Sequence, residues 1–249
     1  MKFPRCGILV NAKDYFIPYI DYIIEESKKN YFDISFFHTN DNEWWDNNFK
    51  NSTLATSDSL QSVVDSSDII FSLGYWKLIS REQIEAVTMG IVNVHHSFRL
   101  KYRGRHMSTH AIRAGEEYHG STLHFIDEKL DEGKIIDTAS CKIDSDDTSE
   151  SLFYKSNHVG LNLIKKNFRN IITRNIKSNG LTHDPDFVYF KKNDLDHEIP
   201  THMLGDTVLL GRYIKSMMFN NAPAPYLMID GKKVYVKMDE YDDGILRRN

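Results

Sequence analysis

Three polar residues have the types and the spacing that oxyanion stabilisation and proton transfer require: Asn93, His95 and Asp131. Asn93 and His95 lie two residues apart at the end of an apolar run, so a strand would present both side chains on one face. Asp131 lies in a polar Asp-Glu-Gly turn, from which a loop can return to the same end of a sheet. An amide, an imidazole and a carboxylate that meet there can stabilise a developing negative charge and move a proton.

The remaining histidines and the cysteines do not form a metal-binding or redox pattern. Several histidines surround the polar segment, but their spacing matches no zinc-ligand set, and we expect no metal site. They are His96, His106, His110 and His124. The only cysteines, Cys6 and Cys141, each lie in an apolar run and are too few for a disulfide framework. We predict that both are reduced core thiols.

Strand-like and helix-like segments alternate through the first half of the chain. Apolar runs predict four strands, and an apolar stripe over residues 16–29 predicts a helix between the first two. The strands are Cys6–Val10, 32–38, 68–73 and 91–94. Ser80 and Gln83 form a capping-box pattern that starts a second helix, which Gly90 ends. This alternation predicts an α/β fold, a Rossmann-like and mostly parallel sheet with helices on both faces, whose ligands gather beyond the carboxyl ends of the strands.

The second half of the chain contains two more predicted strands, a long predicted helix and a shift in amino-acid composition. The strands span residues 121–126 and 135–143, and a long amphipathic helix follows over residues 148–176, before Asn179-Gly180. From about residue 183 the composition shifts to Asp, His, Lys and Pro, with a helix over 204–218 and a hairpin turn at Asp230-Gly231. We therefore predict a catalytic domain over residues 1–182 and a small α+β appendage with a β-hairpin over residues 183–249.

The composition excludes several classes of protein. The chain has 249 residues, of which 41% are hydrophobic and 27% are charged, as in ordinary soluble globular proteins. A formal net charge of −4 provides no field that would hold a polyanion, so we expect no nucleic-acid partner. We find no signal peptide and no apolar run long enough to span a membrane, and we expect a cytoplasmic protein with no membrane partner.

Two segments carry a resemblance to a known family. The first runs from Asn93-Val-His95-His-Ser97 to Tyr102-Arg103-Gly104-Arg105, and the second from Gly120-Ser-Thr122-Leu-His124 to Asp131-Glu-Gly133. In this order they resemble the Asn-x-His-x-Ser, Arg-Gly, Gly-Val-Thr-x-His and Asp-x-Gly motifs of the N10-formyltetrahydrofolate-dependent formyltransferases. The resemblance covers roughly residues 1–180. The chain departs from it at Arg99-Leu100, where the family commonly has Leu-Pro, and at Ser121, where it has Val.

The resemblance implies that the chain transfers a formyl group from N10-formyltetrahydrofolate, its cosubstrate, to an amine. It implies that Asn93, His95 and Asp131 are the catalytic residues. Asn93 would then donate a hydrogen bond to the developing oxyanion, with a protonated His95 as a further donor. Either His95 or a water molecule held by Asp131 would remove the proton from the amine, and the sequence leaves that choice open.

The resemblance leaves the acceptor amine open, and the sequence is compared with the features that other members of the family would need. Glycinamide ribonucleotide formyltransferases would have a Gly- and Ser-rich phosphate turn after the first strand, and residues 10–14 contain no glycine. A methionyl-tRNA formyltransferase would have a larger, basic C-terminal domain, and a formyltetrahydrofolate hydrolase an N-terminal regulatory domain. The chain looks most like the short sugar N-formyltransferases, which modify dTDP-linked amino-dideoxy sugars for surface polysaccharides such as O-antigen. The acceptor expected by this resemblance is dTDP-4-amino-4,6-dideoxyglucose, and the other enzymes named remain alternatives.

The resemblance also implies binding residues and an assembly. The folate would lie along the end of the third strand, against Leu73, Gly74, Tyr75, Trp76 and Ile79, although Tyr75 and Trp76 could simply pack the strand end. The nucleotide sugar would contact a second group of residues. Tyr102 or Tyr226 would stack on the thymine, and the basic side chains of the group would bind the pyrophosphate. That group is Lys77, Tyr102, Arg103, Gly104 and Arg105. The hairpin at Asp230-Gly231 would form a homodimer, or extend a sheet within one chain.

Overall fold

A computed structural model describes residues 4–11, 13–30, 33–38, 55–56, 60–75, 77–176, 180–220 and 222–236. Eleven strands lie within these residues. They are β1 Cys6–Val10, β2 Ile34–His38, β3 Ala55–Thr56, β4 Ile69–Leu73, β5 Ile91–His95, β6 Tyr102–Gly104, β7 Tyr118–Phe125, β8 Ile135–Lys142, β9 Val188–Phe190, β10 Tyr226–Ile229 and β11 Lys232–Tyr235. Six α-helices accompany them: α1 Ile17–Asn30, α2 Leu60–Ser66, α3 Arg81–Ala86, α4 Met107–Ala114, α5 Ser149–Ile172 and α6 Thr207–Ser216.

Seven strands form one sheet in the order β3-β2-β1-β4-β5-β7-β8. Adjacent strands in the part β3-β2-β1-β4-β5 are parallel to each other. Strand β7 runs antiparallel to β5, and β8 runs antiparallel to β7. The predicted α/β class with a mostly parallel sheet is therefore confirmed. The parallel strands β4 and β5 end side by side, so the polar residues at the end of β5 lie at the edge where ligands of such sheets bind.

Both faces of the sheet are covered by helices, as strand alternation requires. Ile8 in β1 belongs to a buried cluster that includes α1 and α5, while its neighbour Leu9 belongs to a second buried cluster that includes Val63 of α2. The largest fully buried side chains include Tyr19, Phe71 and Phe168, which lie in the first cluster. The rigid core therefore lies directly beneath the strand ends that carry the polar residues.

Three predicted helix boundaries need correcting. The capping box of Ser80 and Gln83 is present, but α3 is short and ends at Ala86 rather than near residue 89. Helix α5 ends at Ile172 and does not reach 176, because Thr173 caps it and Arg174 adopts a left-handed backbone with φ of 56°. The predicted helix over 204–218 begins later, at Thr207, where the Asp206 side chain accepts hydrogen bonds from two N–H groups of the first turn.

The residues after 183 extend the fold around the polar strand ends. Strand β9 pairs in parallel with β6, helix α6 packs against α4, and β10 and β11 form the predicted hairpin. Asp230 and Gly231 both have positive φ, of 49° and 74°, as the hairpin turn requires. The contacts of β9 place part of the C-terminal segment beside the catalytic candidates. Within the described residues, none of the helices has the length and apolarity to cross a membrane.

Candidate active site

Asn93 and His124 face each other across two adjacent strands. The antiparallel register of β5 and β7 pairs their Cα atoms, and Asn93 Nδ2 lies 3.2 Å from His124 Nε2. His124 Nδ1 lies 2.8 Å from the Phe125 carbonyl oxygen, which can only accept, so Nδ1 carries the ring proton and Nε2 accepts from Asn93. This contact orients the Asn93 amide, and its second N–H has no hydrogen-bond partner among the described residues.

The neutral form of His124 is enforced by its surroundings. The residue is 1% exposed, and burial lowers the pKa of its imidazole to about 4, with His95 lowering it further and Asp131 acting in the opposite direction. The ring therefore remains an acceptor towards Asn93 at neutral pH. The sequence pattern treated His124 only as part of a motif, and the strand register shows what it contacts.

His95 is held from both sides of its ring. Its Nε2 lies 2.7 Å from the Tyr102 carbonyl oxygen, which can only accept, so the Nε2–H group donates a hydrogen bond to it. Its Nδ1 lies 3.5 Å from Asp131 Oδ1, and both side chains are less than a tenth exposed. Nδ1 is therefore the ring atom that faces the carboxylate.

Asp131 reaches the strand ends from the loop between β7 and β8. Its backbone is left-handed, with φ of 53°, and its Oδ2 accepts a hydrogen bond of 2.9 Å from the Gly104 N–H. Its Oδ1 also lies 4.0 Å from His124 Nε2. The structure thus brings Asn93, His95 and Asp131 together, as the sequence predicts.

Glycine is required at position 104 by the strand that packs against it. Gly104 has φ of 85°, and a Cβ there would overlap the Phe190 carbonyl oxygen of β9. The same residue donates its N–H to Asp131. Pairing of β6 with β9 therefore positions the donor that holds the carboxylate, and β9 was not predicted.

The Arg99-Leu100 departure from the family motif has a structural reason. Arg99 and Leu100 have φ of 51° and 56°. Proline fixes φ near −65°, so it could not occupy position 100 in this backbone. The loop after β5 accordingly follows a different path from the one that a Leu-Pro pair would allow.

Two of the predicted nucleotide-sugar contacts need correcting. The Arg103 side chain is 2% exposed and forms an ion pair of 3.0 Å with Glu132, and its guanidinium lies 3.6 Å from the Phe187 ring centroid. Tyr102 is 5% exposed and donates its hydroxyl to Glu116 at 2.8 Å. Neither residue lines the cavity beside Asn93, because strand alternation and the packing of the C-terminal segment direct both side chains into the protein.

A cavity of about 1000 Å³ opens from the three polar residues. The predicted folate contacts Gly74, Tyr75 and Ile79 line it, whereas the Leu73 side chain belongs to the core and its carbonyl accepts from the Asn11 N–H. Trp76 lies outside the described residues. The predicted nucleotide-sugar contacts Lys77, Gly104 and Arg105 also line the cavity, and Tyr226 does not.

The cavity has two regions that the sequence did not reveal. One is cationic: Arg105, Lys191 and Lys192 line it, and none of them forms an ion pair with a described residue. The other is aromatic and is formed by Tyr15, Phe16, His96, Phe153 and Phe219. Sequence patterns could not join these residues, because they come from segments that lie tens of positions apart in the chain.

A family model described as formyl transferase matches residues 21–167, more than half of the chain. The curated relatives include a methionyl-tRNA formyltransferase of Lysinibacillus sphaericus, 33% identical over 141 residues, which cover 56% of this chain and 44% of the relative. They also include the bifunctional polymyxin resistance protein ArnA of Wigglesworthia glossinidia brevipalpis, 33% identical over 129 residues, which cover 52% of this chain and 20% of ArnA. The chain thus spans about half the length, or less, of these relatives.

Solved structures share the fold over nearly the whole chain. A 4-N formyltransferase from Francisella tularensis superposes with a TM-score of 0.81 at 19% identity, covering 94% of this chain and 97% of the other. An N-formyltransferase from Helicobacter canadensis, solved with folinic acid and dTDP-3-aminofucose, gives a TM-score of 0.74 at 20% identity and covers 92% and 85% of the two chains. These likenesses extend through the segment after residue 183.

Proposed function

Because the chain belongs to the formyl transferase family, we propose that it is a sugar N-formyltransferase, which transfers a formyl group from N10-formyltetrahydrofolate to the amine of a dTDP-linked amino-dideoxy sugar. The observation that carries the proposal is the convergence of Asn93, His95 and Asp131 in one cavity that also has a cationic region. The cavity volume of about 1000 Å³ lies at the upper end of the range of ligand pockets, roughly 300–1,000 Å³.

The three residues supply the chemistry that an acyl transfer to nitrogen needs. Attack by the amine places negative charge on the formyl oxygen, and the second N–H of Asn93 can donate to that oxygen. The tetrahedral intermediate then collapses: the bond between the formyl carbon and the donor nitrogen breaks, and the donor leaves with a proton on that nitrogen. The acceptor nitrogen, which became positive during the attack, loses a proton. His95 Nδ1, or a water molecule beside Asp131, can accept it, and the carboxylate at 3.5 Å stabilises an imidazolium.

The wall beyond β4 fits the pterin of the cosubstrate. Tyr75, Ile79 and Ile126 line it with apolar surface, and the lack of a Cβ at Gly74 lets the Phe16 ring pack against the end of β4, since a Cβ there would lie 2.5 Å from that ring. A flat, largely apolar ring system with several polar edges suits such a slot between backbone segments. These residues would hold the folate so that its formyl group lies over Asn93.

The cationic region fits the diphosphate of the acceptor. Arg105, Lys191 and Lys192 carry three positive charges without ion-pair partners among the described residues. Helix α4 begins beside them with no side-chain cap, so its first N–H groups add to a field that favours an anion. We therefore propose Arg105, Lys191 and Lys192 as diphosphate ligands, in place of the buried Arg103.

The proposal is tested by incubating the protein with N10-formyltetrahydrofolate and dTDP-4-amino-4,6-dideoxyglucose, with dTDP-3-amino sugars as alternative acceptors, and weighing the products. We expect the acceptor to gain one carbonyl group (CO) in mass. The Lys191→Ala and Lys192→Ala variants should raise the KM of the nucleotide sugar on the order of tenfold. Lys232→Ala on the hairpin is the matched control. No product with any sugar, or equal KM values in all three variants, would refute the proposal.

The aminoacyl end of a methionyl-tRNA is the competing acceptor, because the curated relatives include methionyl-tRNA formyltransferases. The net charge of −4 argues against a tRNA substrate. The same assay with charged initiator tRNA decides between them: formylation of the tRNA at a rate above that of every sugar would establish the competing function.

We extend the proposal to the setting of the reaction. The β10–β11 hairpin exposes Met228, Ile229, Val234 and Tyr235, which would be covered in a homodimer. The product would be used in a surface polysaccharide, and the enzyme would work in the cytoplasm, where folate and nucleotide sugars are made. Sedimentation of the protein tests the dimer, since a monomer at micromolar concentration would contradict it.

A further inference from the structure

We propose that His183 is a positioning residue for the reaction: it fixes the loop that carries Asp131 by holding Gly133 directly and Glu132 through Arg103. The inference rests on the proposed formyl transfer, because its main readout is catalytic. His183 lies just before β9 and outside the motifs, and the sequence marks it only by a change in composition.

The His183 ring bridges two separate segments. Its Nε2 lies 3.0 Å from the Gly133 carbonyl oxygen, and its Nδ1 lies 3.1 Å from Arg103 Nη2. A carbonyl can only accept and a guanidinium can only donate, so the ring carries its proton on Nε2 and a lone pair on Nδ1. One neutral tautomer therefore satisfies both contacts at once.

Arg103 continues the connection to the loop. Its side chain is 2% exposed, pairs with Glu132 at 3.0 Å and donates from Nε to the Leu100 carbonyl at 3.3 Å. The face of the guanidinium covers the Phe187 ring at 3.6 Å. A buried guanidinium with these partners acts as a rigid link, and its neighbour in the chain, Gly104, donates to Asp131 itself.

The Asp131 loop requires such external support. Asp131 has a left-handed backbone with φ of 53°, which costs about 1–2 kcal/mol for a residue with a Cβ. Gly133 passes so close to the Phe125 carbonyl that no side chain would fit there. Contacts at positions 131, 132 and 133 therefore hold the loop in one conformation, and two of the three depend on Arg103 or His183.

The test compares His183→Ala and His183→Gln with His202→Ala, which removes an exposed imidazole elsewhere in the C-terminal segment. We expect His183→Ala to lower kcat on the order of tenfold to a hundredfold, because a displacement of the loop by about an ångström misplaces the Asp131 carboxylate. The KM values for both substrates should stay within about twofold of the wild-type values. Gln retains a donor and an acceptor, so it should recover most of the rate. An unchanged kcat in the alanine variant, or a rise in KM alone, overturns the proposal.

A second pair of variants applies if the alanine variant fails to fold. His183→Glu keeps an acceptor for Arg103 but cannot donate to the Gly133 carbonyl, whereas His183→Gln can do both. We expect the glutamate variant alone to lose kcat, and equal kcat values would overturn the proposal.

Hydrogen exchange separates a failure of this inference from a failure of the proposed function. If the wild-type protein formylates no acceptor, the proposed function is wrong. Amide exchange over residues 127–134 then tests the positioning role by itself. Faster exchange there in His183→Glu than in His183→Gln supports the role, and equal exchange contradicts it.

Discussion

Replacement of Gly104 by alanine tests the contact between the C-terminal segment and the candidate active site. At φ of 85° an alanine is strained by about 1–2 kcal/mol. Its Cβ would also lie well inside the 3.0 Å below which Cβ atoms are essentially never found, against the Phe190 carbonyl oxygen of β9. Strands β6 and β9 must therefore move apart, and the Gly104 N–H moves away from Asp131.

The size of the effect follows from the hydrogen bond that is lost. A hydrogen bond to a charged group contributes about 1.5–3 kcal/mol, which corresponds to about 10- to 150-fold in rate if the contact is fully needed in the transition state. We therefore expect kcat/KM of Gly104→Ala for formyl transfer to fall by this factor. Strain of about 2 kcal/mol should also lower Tm by about 4–8 °C in a chain of this size.

Steady-state formyl transfer and a thermal melt measure both quantities. Gly211→Ala in α6 is the matched control, because a Cβ there has nothing within 4 Å and alanine favours the helix by about 0.5–1 kcal/mol. The control should retain full activity and an equal or higher Tm. If Gly104→Ala keeps the wild-type kcat/KM, the hydrogen bond to Asp131 has no catalytic role and the reasoning is refuted.

Three further predictions follow from the site. Asn93→Ala, His95→Ala and Asp131→Ala should each lose on the order of a hundredfold or more in kcat, and circular dichroism should show an intact fold; a His95 variant near wild-type turnover would remove the mechanism. His124→Ala should lower kcat roughly tenfold while KM stays constant, since the Asn93 amide loses the acceptor that orients it; a change in KM alone would contradict this role. Burial lowers the pKa of four histidines, to about 3 for one and about 4 for three, below the ordinary value of 6.5, so the native state binds fewer protons than the unfolded state. They are His96, His110, His119 and His124. Stability should be complete above about pH 6.5 and should fall towards pH 4, by up to about 1.4 kcal/mol per pH unit for each imidazole. A Tm that is constant from pH 7 to pH 4 would refute this.

The sequence predicted the features that depend on local periodicity and on motifs. Alternating apolar runs identified β1, β4 and β5, and the two-residue spacing of Asn93 and His95 placed both side chains on one face. The polar turn correctly placed Asp131 near them, because a loop between antiparallel strands must return to one sheet edge. Ser80 and Gln83 correctly marked a helix start.

The features that the sequence could not predict depend on long-range pairing. Strand β9 is three residues long and pairs with β6 across more than eighty positions, so no periodicity reveals it. Because that pairing was not predicted, Arg103 was expected to be an accessible cation that binds the pyrophosphate. In the structure it is buried against Glu132 and Phe187. The cationic region has the same origin, because Arg105 meets Lys191 and Lys192 only once the C-terminal segment has folded back.

A single-turnover reaction with isotopically labelled N10-formyltetrahydrofolate tests the central claim most directly. Wild-type protein is mixed with the labelled donor and a dTDP-amino sugar, and the label is located by mass spectrometry. The label should appear on the sugar amine, and Asp131→Asn should slow its arrival by orders of magnitude. Label that is released as formate, or that reaches the sugar equally fast in the variant, would contradict the account.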